Sequence, residues 1–499
     1  MNIEKDKTRK NTIRAYMDRM APQLDGWRAR NRYYYGEHET FMRFLVKPGL
    51  RVLDLGCGAG HLLAALKPAH GVGVDLSERN VASARERYPA LRFVCGDVED
   101  EEVIRNLEGP FDVLILSDII GFLTDCQNTL ETLHQLCTAD TRVIISYFSW
   151  LWEPPLRMAE KLGLKMPQVE MNWMSSEDIF NLLKMADFEP IKADWRILLP
   201  KYMWGVGPFL NKYLAPLPVI RRLCLRNYAI ARSMRNVTRE KLSTTVVVPC
   251  RNEQGNIEAA VQRTPLFCED LEILFVEGNS RDDTYSAIQR VIAKYPDRDI
   301  KVLVQDGVGK GDAVRKGFAH ARGQVLMILD GDLTMPPEDL PKFYEAIVSG
   351  KGEFVNGSRL VYPMEGQAMR FLNFWANRVF AVLFTWLLNQ RYTDTLCGTK
   401  VLRRDAYRRI EANRSYFGDF DPFGDFDLIF GAAKLHLKTA EVPIRYASRE
   451  YGETQISRFR HGWLLLKMVV FAFRKLKAFS WRDHEAGGGA ARTRPAVES

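Results

Sequence analysis

Short apolar runs that stop abruptly at a glycine or a carboxylate recur along this 499-residue chain, each leading into a helical stretch. No other feature limits the fold as tightly. The clearest run is Val325 to Leu329, ended by Asp330-Gly331-Asp332. It is short enough to be a buried strand. Arg51–Leu55 runs into glycines at 56, 58 and 60, Gly71–Val74 into Asp75, Leu91–Val94 into Gly96-Asp97, and Phe111–Leu116 into Ser117-Asp118. Thr141–Ser146 follows, and the pattern restarts with Thr244–Val248, Leu271–Val276 and Lys301–Gln305. Strands alternating with helices predict parallel, doubly wound sheets, so two rounds predict two α/β domains. Such sheets bind ligands at the carboxyl ends of their strands, where these glycines and acids stand.

A chain this long exceeds one ordinary core. Its 46% apolar and 26% charged residues describe a soluble globular protein. A net charge of +8 favours anionic partners. With no zinc-type Cys/His spacing and no dense basic stripe, nucleic acid is not an expected partner. The eight cysteines are scattered, mostly within apolar runs, as reduced packing thiols are. The charged start MNIEKDKTRKNTIRAY has no apolar core of a secretory signal. Phe371–Leu388 contains Asn373, Asn377 and Arg378, and Trp463–Phe473 is too short to span a bilayer. The expected location is cytoplasmic, with peripheral attachment to the inner face of the cell membrane.

Residues 1–50 read as helical. Beyond them, bare backbone at Gly56, Gly58 and Gly60 lets a ligand lie close, and an acid about 20 positions on suits ribose hydroxyls. A dinucleotide fingerprint wants glycine where this chain has His61. The run VLDLGCGAG, with Asp54, resembles motif I of class I S-adenosylmethionine-dependent methyltransferases. That resemblance, over roughly residues 35–200, implies a Rossmann-like fold. It makes Asp75 the ribose-binding acid, Gly96-Asp97 the adenine loop, and Asp118 a further cofactor contact. His38, His61 and Asp118 are candidate general bases; each also reads as a loop residue or a cofactor contact.

Residues 201–242 are aromatic and basic and are expected to join the domains. They suit either an amphipathic membrane-surface segment or an interdomain helix pair with arginines in water.

From Thr244 on, the ordered motifs resemble family 2 glycosyltransferases of the GT-A fold, especially those making polyprenyl- or dolichyl-phosphate sugars. VVVPCRNEQGNI looks like the first strand and loop, with Pro249, Arg251, Asn252 and Glu253 at the nucleotide. VEGNSRDDT looks like the second motif, with Glu277 and Asp282, although Gly278 replaces an acid. The resemblance makes Asp330 and Asp332 the metal pair for Mg²⁺ or Mn²⁺, with Asp332 catalytic. Two hard oxygen ligands completed by substrate phosphates suit those ions, and Lys310 is placed to meet a diphosphate. Gly331 is read as letting a ligand approach the backbone.

Arg359, Asp394, Lys400, Arg449 and Arg458 fall in motifs that line the family's acceptor side. Gln455 stands where that family has lysine, which leaves Arg458 or Arg460 to supply the charge. For a hydroxyl acceptor, Asp427 or Asp425 is available as the general base; an ionised phosphate acceptor needs none. Helices Phe371–Leu388 and His461–Trp481 suit a bilayer surface, core packing or a dimer interface. The tail from Arg482 is expected to be disordered.

The expected protein is therefore bifunctional, with a methyltransferase domain (1–200), a linker (201–242), an inverting glycosyltransferase domain (243–481) and a tail (482–499). Its donor would be a nucleotide-diphosphate sugar and its acceptor a polyprenyl phosphate or another lipid or glycan. The competing readings are a soluble glycosyltransferase for a small phosphorylated acceptor, a first domain that binds the cofactor only as a regulator, and an inactive scaffold.

Overall fold

Every run named above becomes a strand. The computed structural model describes residues 3–362, 371–416, 426–447, 449, 451 and 458–478. Its strands are β1 (Arg51–Leu55), β2 (His70–Asp75), β3 (Arg92–Cys95), β4 (Val113–Ser117), β5 (Arg142–Phe148), β6 (Phe188–Arg196) and β7 (Arg226–Ser233). They continue with β8 (Thr244–Cys250), β9 (Leu271–Glu277), β10 (Asp299–Val304), β11 (Val325–Ile328), β12 (Phe354–Ser358), β13 (Lys400–Arg403) and β14 (Thr439–Pro443). Helices Ile3–Met20, Leu24–Arg30 and Arg32–Leu45 precede β1. The chain separates into two compact units, residues 1–237 with the chain from 477, and residues 238–476.

The first unit holds a seven-stranded sheet in the order β3-β2-β1-β4-β5-β7-β6. The first five strands are parallel. Their interiors are mostly apolar, as expected of parallel strands covered on both faces. β7 enters antiparallel between β5 and β6 and is buried along its whole length. The stretch expected to join the domains therefore supplies a strand inside the first sheet. Its apolar centre, Tyr228 to Ile230, is short, and the arginines beside it gave the segment the look of an exposed basic connector. Arg226 and Arg232 are instead buried and paired with Asp118 and Glu189.

The second unit holds a sheet ordered β10-β9-β8-β11-β13-β12-β14. β10, β9, β8 and β11 run parallel, and β13 pairs antiparallel with β11 and β12. Val246, Phe275, Met327 and Val355 sit at the centre of its core. The first unit has a separate core around Leu53, Val74, Leu114 and Ile145. All eight cysteines are free. Among the described residues no helix is long and apolar enough to cross a membrane. The tail from Arg482 lies outside the described residues.

Candidate active sites

The carboxyl ends of β1 and β2 form the first site. Gly56 and Gly60 both have φ +76, and a side-chain carbon there would meet Ile119 at 2.8 Å and Phe93 at 2.7 Å. The loop accordingly needs glycine at both positions. Gly58 has open space above it, and its N–H donates to Asp75 Oδ2 at 2.8 Å. Asp75 Oδ1 accepts from the Ser77 N–H at 3.0 Å and from Asn80 at 3.3 Å. Burial raises the Asp75 carboxyl, against those hydrogen bonds. Asp54, 1% exposed, has an Oδ1 with no hydrogen-bond partner. Burial, with Asp75 nearby, pushes its carboxyl up to about 8.

Asp97, expected at the adenine, pairs with Lys10 at 2.7 Å, and the Ser77 hydroxyl donates to Asp18 at 2.5 Å. The helix Ile3–Met20 thus reaches the ends of β2 and β3, a placement no motif announced. Asp118 is held by both guanidinium nitrogens of Arg226, each at 2.9 Å. Rings of Tyr34, Phe148 and Tyr228 surround that guanidinium. Burial opposes the Arg226 charge, but Asp118, then Tyr34 and Tyr228, raise its pKa on balance. Asp118 is therefore a charge partner and not a free base.

His38 is buried between the Tyr228 hydroxyl at 2.8 Å and the Ser117 hydroxyl at 3.2 Å. Burial, then Arg226 and Arg28, hold it well below the usual histidine range. His61 contacts Tyr88 at 2.9 Å and Asp25 at 3.1 Å. A small depression beside Asp118 is lined by Gly121, Tyr147, Phe148, Met171 and Met174.

The second site lies where β8, β9 and β11 end. Lys310 Nζ lies 2.5 Å from Asp330 Oδ1. Asp332 Oδ1 accepts from the Thr334 N–H at 3.2 Å and its hydroxyl at 2.9 Å, and Arg449 donates to Oδ2. Burial would raise the Asp330 carboxyl, but Lys310, then Lys400 and Arg359, bring it below the usual range. Burial raises Glu253, which faces Arg449, Asp332 and Asp282. Gly331 makes room for the protein itself: a side-chain carbon there would lie 2.9 Å from the Pro249 carbonyl oxygen.

Asn252 and Asp282 tie the two nucleotide-side loops together, and Glu277 braces the second from within. Asn252 Oδ1 accepts from the Arg281 N–H at 2.7 Å, Glu277 from the Ser280 N–H at 2.6 Å, and Asp282 from the Gln254 N–H at 3.3 Å. Arg251 is exposed beside them.

The residues expected at the acceptor divide. Arg359 pairs with Asp394 through two bonds, 2.6 and 2.9 Å, while Asp394 and Lys400 are fully buried. Asn377 also donates to Asp394, at 2.9 Å. These groups brace the loop beside Asp330 from below. Asp427 pairs with Arg414 at 3.4 Å and lines a hollow with Ile410, Asn413 and Lys434. Among the described residues its contacts do not join it to the Asp330–Asp332 group. Asp425 and the Arg458 side chain lie outside the described residues. Glu441, which received no role in the sequence reading, accepts from the Thr393 N–H at 2.8 Å and braces the Asp394 loop.

Two family models match these two units. Residues 26–193 match a methyltransferase domain, and residues 245–411 match glycosyl transferase family 2. The chain thus carries one segment similar to each of these two transferase families. It is similar to an undecaprenyl-phosphate 4-deoxy-4-formamido-L-arabinose transferase of Pseudomonas fluorescens, with 28% identity over 232 residues, 45% of this chain and 63% of the relative. It is also similar to a dolichol-phosphate mannosyltransferase of Pyrococcus furiosus, with 28% identity over 237 residues, 45% of this chain and 64% of the relative. The chain spans less than two thirds of the length of these relatives.

Similar solved structures include a possible histamine N-methyltransferase of Thermotoga maritima (19% identity, 43% of this chain and 97% of that one, TM-score 0.35). Another is a glucosyl-3-phosphoglycerate synthase of Mycobacterium tuberculosis (17%, 47% and 80%, TM-score 0.35).

Proposed function

We propose that the second domain transfers a sugar, with inversion, from a nucleotide-diphosphate sugar to a polyprenyl phosphate or a related lipid or glycan acceptor. The first domain then methylates an intermediate of the same pathway. The observation that carries the first half is the convergence of Glu253, Lys310, Asp330, Asp332 and Arg449 at the strand ends. The activities of the relatives agree with it.

Among the described residues no group of three or more His, Cys, Asp or Glu side chains could hold a metal. The donor set at Asp330 and Asp332 is two hard carboxylates, which fits Mg²⁺ or Mn²⁺ completed by substrate phosphates. Held by Asp330 and Asp332, such an ion would supply positive charge for the departing diphosphate. Lys310 and Arg449 now neutralise the same carboxylates, so donor entry frees two cations to face phosphate oxygens. An ionised phosphate acceptor attacks without a base, consistent with the placement of Asp427 beside Arg414.

In the first domain Asp75 offers a carboxylate to ribose hydroxyls beside the bare backbone of Gly58. The methyl acceptor enters at the aromatic depression by Asp118. Membrane attachment is supported by outward apolar side chains, Val379 and Val382 on one helix and Trp463, Leu466 and Val470 on another.

A thermal-shift panel tests both halves, because a ligand of the folded state alone raises the melting temperature. The expected result is a shift with S-adenosylmethionine and a separate, Mn²⁺-dependent shift with one of the UDP-, GDP- or dTDP-sugars. No shift with any sugar nucleotide would sink the donor assignment.

A further inference from the structure

The first unit carries a helical segment turned inside out. Residues 206–214 form an α turn followed by a π turn. Gly207 and Asn211 face inward, while Val206, Phe209 and Tyr213 face solvent, at 48%, 57% and 45% exposure. Asn211 is the interior anchor. Its Oδ1 accepts from the Leu198 and Leu199 N–H groups at 2.8 and 2.9 Å, and its amide donates to the Tyr33 hydroxyl at 2.9 Å. A water-facing helix does the opposite, burying its apolar stripe and exposing its amides.

The flanks continue the pattern. Trp204 is 96% exposed and, like Met203, sits in left-handed backbone, φ 52 and 42. Large L residues rarely adopt that region, so a turn holding an indole outward there points to a use. Val219 and Leu223 are exposed further along, at 81% and 54%.

Charge selects the occupant. From residue 195 to residue 239 the chain has no Asp or Glu, yet it carries Lys201, Lys212, Arg221 and Arg222 in the segment itself. Arg221 and Arg222 both stack on Trp195, 4.6 Å from its ring, and Arg222 also pairs with Glu177 at 3.5 Å. Aromatics in a segment that carries basic residues and no acid of its own match the headgroup layer of an anionic bilayer.

We infer that residues 201–223 of the methyltransferase domain are a docking surface for an anionic lipid bilayer, with Trp204, Phe209 and Tyr213 entering the headgroup layer. This deepens the proposed membrane attachment by adding a contact outside the glycosyltransferase domain.

The test is flotation of the full chain with phosphatidylglycerol–phosphatidylcholine vesicles and with phosphatidylcholine alone, at low and high salt. The wild type is expected to float with the anionic vesicles and to lose most of that binding at high salt. The triple variant Trp204→Ser, Phe209→Ser, Tyr213→Ser is expected to bind roughly tenfold more weakly, with its S-adenosylmethionine thermal shift unchanged.

If the triple variant floats like wild type while Trp463→Ser does not, membrane attachment stands and this assignment falls. If wild type fails to float at all, both fall. If the variant instead halves the mass seen by light scattering with no change in flotation, the face belongs to a second copy of the chain, and the lipid assignment is overturned.

Discussion

Asp54 shows how one residue couples site chemistry to stability. Its carboxyl is buried without a partner for Oδ1, and burial raises it to about 8. An unfolded chain releases that proton near the ordinary value of 3.8. Between those limits the folded state holds more protons than the unfolded one, so stability falls as pH rises and levels off above about 8. Each pH unit inside the window costs up to about 1.4 kcal/mol. Asp54→Asn, which cannot titrate, should flatten the fall between pH 5 and 8 in the unfolding transition that S-adenosylmethionine shifts. A variant that keeps the full slope would place its origin elsewhere. The motif around Asp54 made it visible as a site residue, but no motif marks how deeply a side chain lies. Arg226 shows the other limit: its partner Asp118 stands 108 positions away, and nothing near either residue in the chain announces the pair.

At the level of elements, the legible strands were those covered on both faces. β4, β8 and β11 read as largely apolar runs, and β1 and β9 as runs broken by a single acid, because parallel strands in a doubly wound sheet meet little water. The strand-end acids beside them were legible for the same reason, since each marks where a run stops. β7 was not legible. Its buried arginines are satisfied by carboxylates from elsewhere in the fold, and local pattern cannot show such pairing. The distinction is testable at Ala231, which is fully buried in β7 opposite Val143 of β5. A connector would tolerate Ala231→Asp. A central strand would not, because an unpaired carboxylate there costs roughly 3 kcal/mol or more. The variant should lose its S-adenosylmethionine thermal shift while retaining the one caused by the sugar nucleotide. Retention of both would return β7 to the role of connector.

For the whole molecule, each unit has its own sheet, its own core and its own cluster of strand-end carboxylates. Among the described residues, the bonds that hold Asp75 come from the first unit and those on Asp332 from the second. The two sites should therefore fail independently. Asp332→Asn replaces one of the two carboxylates proposed to hold the metal with a neutral amide. It is expected to cut sugar-nucleotide turnover by at least about a hundredfold, leaving S-adenosylmethionine binding at the wild-type level. Asp75→Ala removes the carboxylate proposed to meet the ribose and should do the reverse. Binding by calorimetry and turnover by nucleotide release, measured on the same preparations, give the four numbers required. If either substitution silences both sites while circular dichroism shows the fold preserved, the sites are coupled and the two-unit account of the chemistry is wrong. If each silences one, a shared pathway must lie in the identity of the substrates, because neither site then depends on the other to work.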